Sequence, residues 1–218
     1  VSYRFDCADS SGRRRGLARA KDALGSGELV VVPTEASYGL AADAFSGPGV
    51  AALRDAKGNR RLAPPVLIGS GRTLDGLATD VRQPARDLAE AFWPGPLTLI
   101  CHTQPTLDWG LEGLGGVVSL RVPLHPVLLQ LLAETGPLAV TGANLPGHPL
   151  PTTYDEARGQ LGEFPAVYLD AGPTRYGGAS TVVDARGPVP RVVRRGALGV
   201  GALREVVPEL GDLEEASA

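Results

Sequence analysis

Cysteine is scarce. The chain has 2, Cys7 and Cys101, far apart in sequence and too few for a disulfide framework. Its 3 histidines are scattered as well, so a dedicated zinc site is not expected. No apolar run approaches the roughly 20 residues a membrane helix needs. No charged segment followed by an apolar one opens the chain, which argues against a secretory signal. Methionine is absent, and Val1 in first place is what a GUG start codon would give. An excess of one charge sign is also lacking. A formal net charge of −3 argues against a surface built for general nucleic-acid binding. The expectation from these absences is a cytoplasmic protein with no membrane association and no direct nucleic-acid contact.

What is present is globular. At 218 residues, with 43% hydrophobic and 21% charged side chains, the chain suits one domain with a real core. The 29 glycines and 19 prolines are spread along its length, a sign of many turns rather than disorder.

One stretch organises the rest. Leu29, Val30, Val31 and Val32 form a β-branched apolar run that reads as a buried strand. Pro33 withholds the next ladder donor, so the strand is expected to end there. Thr34, Glu35, Ala36 and Ser37 follow as small or polar side chains, then Tyr38 as the one aromatic and Gly39, which admits close backbone approach. A strand exit of this kind is either an ordinary turn or a ligand site of an α/β protein.

Before it, residues 3–5 suggest an edge strand, and Leu17, Ala20 and Leu24 mark an amphipathic helix over residues 13–24. Arg13, Arg14 and Arg15 read as a solvated face of that helix, with a phosphate contact as the minority reading. After the stretch, a helix over residues 48–56 delivers Lys57, Asn59, Arg60 and Arg61. Cations at a helix exit complement its dipole, or they form a polyphosphate clamp on a glycine-loosened loop. Helical patterns near residues 73–77 and 83–91 lead to Phe92-Trp93-Pro94-Gly95-Pro96-Leu97-Thr98, a rigid turn feeding a strand, whose aromatics read as core anchors.

Residues 103–116 are polar and Gly-rich, a surface loop by pattern. The strand 117–123 carries Arg121, which needs a partner if it is buried. His125, beside Pro126, reads as a helix-start residue rather than a catalytic base. A Leu-rich helix over 127–133 and the strand 138–140 lead to Thr141-Gly142-Ala143-Asn144, a small-residue turn suited to phosphate or ribose recognition, or simply to turning. A helix over 153–161 leads to the segment 166–173, and Ser180-Thr181-Val182-Val183-Asp184 and Arg191 to Arg195 complete the pattern. Residues from about 205 are acidic and expected to form a terminal helix with a loose tail.

In order along the chain, these segments resemble the signatures of the YrdC/Sua5 family, whose members make threonylcarbamoyl-adenylate. Residues 33–40 resemble PTxTxYGL with Ala36 in the second Thr slot. Lys57 fills the Lys of KxR while Asn59 holds its Arg slot, with Arg60 and Arg61 beside it. FWPGPLT is nearly verbatim. Residues 121–126 resemble RVPxHP. In the SxN segment Asn144 matches and Gly142 stands in the Ser slot; STVVD follows, and the end resembles LRPGA with Arg195 in the Pro slot.

The resemblance implies an α/β, YrdC-like single domain over residues 1–204, with a twisted mixed sheet flanked by helices around an open concave cleft, and a C-terminal helix or tail over 205–218. It implies a nucleotidyltransferase that joins an amino acid, bicarbonate and ATP, releases pyrophosphate and serves tRNA modification. Its partners would be these small molecules, with Mg2+ carried by the nucleotide and no protein metal site. Lys57, Arg60, Asn144 and Arg194 would meet the nucleotide. Thr34, Tyr38, Arg121, Ser180 and Thr181 would line the amino-acid and bicarbonate pocket, with Lys57 and Arg121 catalytic. Ala36, Asn59 and Gly142 replace polar residues in pocket motifs while the scaffold motifs survive. Two alternatives therefore stand beside that activity: a paralogue taking another amine in a specialised pathway, and a catalytically weak module that binds nucleotide or RNA.

Overall fold

A computed structural model describes residues 1–107, 109, 115–174 and 178–213. In chain order the elements are β1 (Tyr3–Asp6), α1 (Ser10–Gly25), β2 (Val30–Pro33), β3 (Tyr38–Asp43), α2 (Gly47–Ala56) and β4 (Val66–Leu67). A 3-10 turn at Gly71–Thr73 runs into α3 (Leu74–Leu77), then β5 (Ala78–Thr79), α4 (Gln83–Phe92), β6 (Leu97–Thr103) and β7 (Val117–Arg121). The remainder is α5 (Pro126–Thr135), β8 (Leu138–Gly142), α6 (Tyr154–Leu161), β9 (Val167–Asp170), β10 (Thr181–Asp184), β11 (Arg191–Arg194) and α7 (Val200–Val206).

The strands form one mixed sheet in the order β1-β9-β2-β3-β8-β4-β7-β6-β10-β11, with β5 on β6. β9 runs parallel to both β1 and β2, β4 to β7, and β6 to β10, whereas β2, β3, β8 and β4 alternate in direction. Side chains leave a strand on alternate faces, and β2 shows both faces in use. Val30 and Val32 pack with Leu17, Leu24, Leu128 and Leu131 of α1 and α5. Val31 joins Val50, Leu53 and Leu88 on the opposite side. This is the helix-flanked mixed sheet that the family resemblance implies.

Local chemistry explains the element starts. Asp9 caps α1 by accepting from the Gly12 N–H at 2.6 Å, and Ser46 caps α2 by accepting from Gly49 at 3.1 Å. Trp93 is packed against the core, and its indole N–H donates to the Leu97 carbonyl at 2.8 Å, pinning the turn that feeds β6. His125 occupies the position just before α5, as expected.

Three expectations need correction. Tyr38 and Gly39 are not loop residues: after the four-residue turn from Thr34 to Ser37, the chain returns as β3, antiparallel to β2. Five of the six β3 residues are buried, so no inside–outside alternation marks it in the sequence. The terminal helix lies at Val200–Val206, ahead of the acidic stretch, because Leu203, Val207 and Leu210 supply the apolar anchors. Residues 214–218, the expected tail, lie outside the described residues. Within the loop over 103–116, Trp109 is buried against Phe45, with ring centroids 5.7 Å apart; residues 108 and 110–114 also lie outside the description.

Candidate functional site

The face of the sheet packed by α1 and α5 carries Leu67, Leu138 and Val140. It continues past those helices as the floor of an open cleft of about 480 Å³. Strand alternation decides which side chains reach that floor. Gly142 lies two residues from Val140 and pairs with Gly39, while Arg121 pairs with Leu67, so all of them share one face. Thr98 and Ser180 extend the floor from the β6 side, and Arg194 of β11 closes that end.

Arg121 answers the question its sequence position raises. Its guanidinium forms a buried ion pair with Glu35, from the turn after β2, and its Nε donates to the Gly95 carbonyl at 3.0 Å. The other Glu35 oxygen accepts from the Leu124 N–H at 3.3 Å. The side chains are only 11% and 6% exposed, so the pair holds a fixed charge arrangement in a poorly solvated place. Burial, and after it the nearby Arg194 charge, lowers the Arg121 guanidinium to about 10, which leaves it protonated at neutral pH.

Arg194 donates to the Ser180 carbonyl, from Nη2 at 2.8 Å and from Nε at 3.2 Å, and to Ser180 Oγ at 3.0 Å. Ser180 Oγ in turn lies 2.8 Å from Thr98 Oγ1. All of these acceptors are neutral, and no carboxylate among the described residues compensates Arg194. A guanidinium fixed in that way at a cleft wall attracts an anion.

Lys57 stands behind the opposite wall. Its ammonium donates to the Gly142 carbonyl at 3.0 Å, the Asn144 carbonyl at 2.5 Å and Asn144 Oδ1 at 2.9 Å. Burial lowers its pKa from the ordinary lysine value. Asn144 is itself tied down, its amide donating to the His148 carbonyl at 2.7 Å. Lys57 and Asn144 thus fix the turn whose Gly142 lines the cleft, without being lining residues themselves.

The structure brings Thr34, Arg121, Ser180 and Arg194 to the cleft and places other sequence candidates elsewhere. The Thr34 hydroxyl closes its own turn, donating to the Ser37 carbonyl at 2.7 Å and accepting from the Ala36 and Ser37 N–H groups, each at 3.2 Å. Tyr38 faces away from the cleft because it alternates with Gly39 along β3. Its ring is buried, and its hydroxyl donates to the Gly172 carbonyl at 2.7 Å, accepts from the Ala171 N–H at 3.1 Å and lies 3.2 Å from Asp170 Oδ1. Burial pushes that phenol above its usual range. Thr181 is fully buried, with its hydroxyl exchanging hydrogen bonds with Leu198 at 2.8 and 3.0 Å. Arg60 is 91% exposed and 3.7 Å from Asp55, away from the cleft. Tyr38, Thr181 and Arg60 are therefore scaffold or surface residues in this structure.

Sequence reasoning missed Glu35, Thr98 and Leu150. The unsatisfied need of Arg121 for a partner was the available signal for Glu35. Leu150 had none, because an isolated leucine between two prolines carries no pattern. The two cysteines supply no nucleophile: burial pushes each thiol up to about 12. Among the described residues that line the cleft there is no carboxylate; Glu35 reaches Arg121 from outside that lining. What remains is an arrangement of fixed cations and hydroxyls, suited to aligning anions rather than to proton abstraction. Such a donor set fits a polyphosphate. It offers a metal no ligand cluster, and no group of three or more His, Cys, Asp or Glu side chains occurs among the described residues.

Residues 22–196 match the Sua5_yciO_yrdC family model, described as "Telomere recombination". A Mycobacterium tuberculosis relative, provisionally named a threonylcarbamoyl-AMP synthase, is 48% identical over 204 residues, which cover 93% of this chain and 94% of that protein. The threonylcarbamoyl-AMP synthase of Bacillus subtilis is 34% identical over 198 residues, 88% of this chain and 56% of its own length. Among solved structures, Pyrococcus abyssi Sua5 complexed with L-threonine superposes with a TM-score of 0.86 at 29% identity. That match covers 97% of this chain, which spans 62% of the archaeal one.

Proposed function

The chain belongs to the Sua5–YciO–YrdC family, and from that premise we propose that it is a nucleotidyltransferase making an N-carbamoyl-adenylate from an amino acid, bicarbonate and ATP. Threonine is the first-choice amino acid, by analogy with the relatives' names, and the product would then feed tRNA modification in the cytoplasm. The observation that carries the reading is the cleft in which Arg121, Ser180 and Arg194, remote in sequence, meet with Lys57 behind the facing wall.

The reaction proceeds in two steps. The amine takes up bicarbonate to give an N-carboxylate and water. A carboxylate oxygen then attacks the α-phosphorus, and the bond to the bridging oxygen breaks to release pyrophosphate. The nucleophile is already an anion, so the site needs no strong base. Its task is to hold two anions together and offset their repulsion. Arg194 takes the triphosphate directly, and Lys57 joins it only by exchanging its Gly142 and Asn144 acceptors for phosphate oxygens. Arg121, oriented by Glu35, takes the carboxylate of the amino acid, and the Ser180–Thr98 hydroxyl pair supports the carbamate. Mg2+ arrives with ATP as part of the substrate, held by phosphate oxygens and water.

The test is pyrophosphate release from purified protein given ATP, bicarbonate and single amino acids. Release that requires all three supports the proposal; none with any amino acid removes it. A different amine is the second reading, favoured by Ala36 and Gly142, which give the cleft no side-chain hydroxyl at either position.

A further inference from the structure

The floor of the cleft has a bare patch. Gly39 and Gly142 are cross-strand partners, so neither strand contributes a side chain there. A Cβ at Gly39 would come within 2.7 Å of Val140 Cγ1. A Cβ at Gly142 would lie 2.6 Å from Asn144 Oδ1 and would overlap Leu150 Cδ2. The space a side chain at 142 would need is therefore filled, and Leu150 fills it from outside the sheet.

Leu150 is also held in place. It sits between Pro149 and Pro151, which restrict the backbone on both sides. The Pro149 carbonyl accepts from the Gln160 amide at 3.0 Å, and the Pro151 carbonyl accepts from the Tyr38 N–H at 2.8 Å. Yet the residue is 46% exposed and lines the cleft. A leucine with an anchored backbone, its side chain open to a cleft, presents an apolar surface of fixed height to whatever binds.

We propose that Leu150 is a specificity-determining residue: seated over Gly142, it sets the depth of the cleft and selects amino acids whose side chains are short and partly apolar. The inference rests on the reaction proposed above and goes further by naming the wall that measures the amine. Its neighbours agree with the assignment. Val140, two residues from Gly142 on the same face, gives that end methyl groups beside Thr141 and Thr152, a mixed lining that suits a short, partly apolar side chain, whereas Thr98, Arg121, Ser180 and Arg194 gather towards β6, β10 and β11. An amino acid placed with its carboxylate at Arg121 would have its side chain free to meet the Gly142 end.

The experiment compares wild type, Leu150→Ala, Gly142→Ser and the double variant, measuring kcat/KM for threonine and leucine by pyrophosphate release and the affinity for each amino acid by calorimetry. One methylene in an apolar pocket is worth roughly 10- to 200-fold in discrimination. Leu150→Ala should therefore raise the leucine-to-threonine ratio by at least about 10-fold, with a smaller change in the KM for ATP. Gly142→Ser alone should lose activity towards threonine, and Leu150→Ala in the same chain should recover part of that loss, since the close approach to Asn144 Oδ1 remains. An unchanged amino-acid ratio in Leu150→Ala, or a change confined to the KM for ATP, overturns the inference even if Gly142→Ser fails to fold. Wild-type protein that releases no pyrophosphate overturns the reaction instead. In that event calorimetry still decides for Leu150: an unchanged affinity ratio, or no amino-acid binding by the wild type, overturns it too.

Discussion

The two ends of the cleft are built on different principles. At the β7–β6–β10–β11 end, charge is fixed by dense pairing. Arg121 is locked between Glu35 and the Gly95 carbonyl, and Arg194 is spread over two Ser180 oxygens. At the β3–β8 end the sheet is stripped to glycine, and shape comes from Leu150 above it. The first arrangement tolerates no exchange of residue type, because removing one partner strands a buried charge. The second is adjustable, since a leucine over a glycine floor trades volume without disturbing hydrogen bonds. The charged end is thus the rigid part of the design, and the glycine-floored end the adjustable part.

Substitutions should separate the ends in graded fashion. The largest effect is expected at the ion pair. Arg121→Ala leaves Glu35 buried without its charge partner, costing about 3–5 kcal/mol of stability and abolishing turnover; urea unfolding together with the pyrophosphate assay reads both. Retention of wild-type stability would show that the charged end is less tightly built than its geometry implies.

Lys57→Ala comes next. In the proposed role of phosphate-binding cation its loss costs about 2–5 kcal/mol of transition-state binding, on the order of 30- to 5,000-fold in rate, and kcat/KM for ATP measures it. The same group gives a pH signature. Burial lowers its pKa, so folding favours the neutral amine and this group's contribution to stability increases as pH rises through the lowered value. Phosphate binding has the opposite sign, because the charged form is the one that binds. Affinity for ATP should therefore fall on the alkaline side before free lysine would titrate, and the fall should move to higher pH in Lys57→Arg. A fall that ignores the substitution would separate Lys57 from the phosphate site.

The smallest effects belong to the candidates that lie off the cleft. Tyr38→Phe loses the hydroxyl contacts to Gly172 and Ala171, about 1 kcal/mol or somewhat more in thermal or urea unfolding, with kcat changed less than threefold or so. Arg60→Ala, at an exposed site, should alter kcat/KM by less than about twofold. A large loss of activity in either would extend the charged end beyond the residues that now line it.

How much of this could be read beforehand follows from how far apart the partners are. The turn after Pro33, the rigid segment over residues 92–98 and the Arg121 strand declare themselves locally, through proline, glycine and a lone charge in an apolar run. That is why the scaffold and Arg121 were visible locally, whereas Ser180 and Arg194 came only from the family resemblance. Tyr38 misled because its strand is buried on both faces and shows no alternation. Its neighbours in the motif suggested a ligand contact, while strand geometry turned its ring into the core. The Glu35–Arg121 pair and the seating of Leu150 over Gly142 join segments that meet only once the sheet has formed. Nothing within a local window encodes either contact. Arg60 stood beside a motif slot, but the loop between α2 and β4 leaves it in solvent.

The central claim is that the cations hold ATP so that a carbamate strikes its α-phosphorus. Its most direct measurement follows ATP labelled at the α- and γ-phosphates in the presence of bicarbonate and threonine. The account predicts α-label in a carbamoyl-adenylate and γ-label in pyrophosphate, dependent on bicarbonate and lost in Lys57→Ala. Release of orthophosphate with ADP, or pyrophosphate formed without bicarbonate, would contradict it.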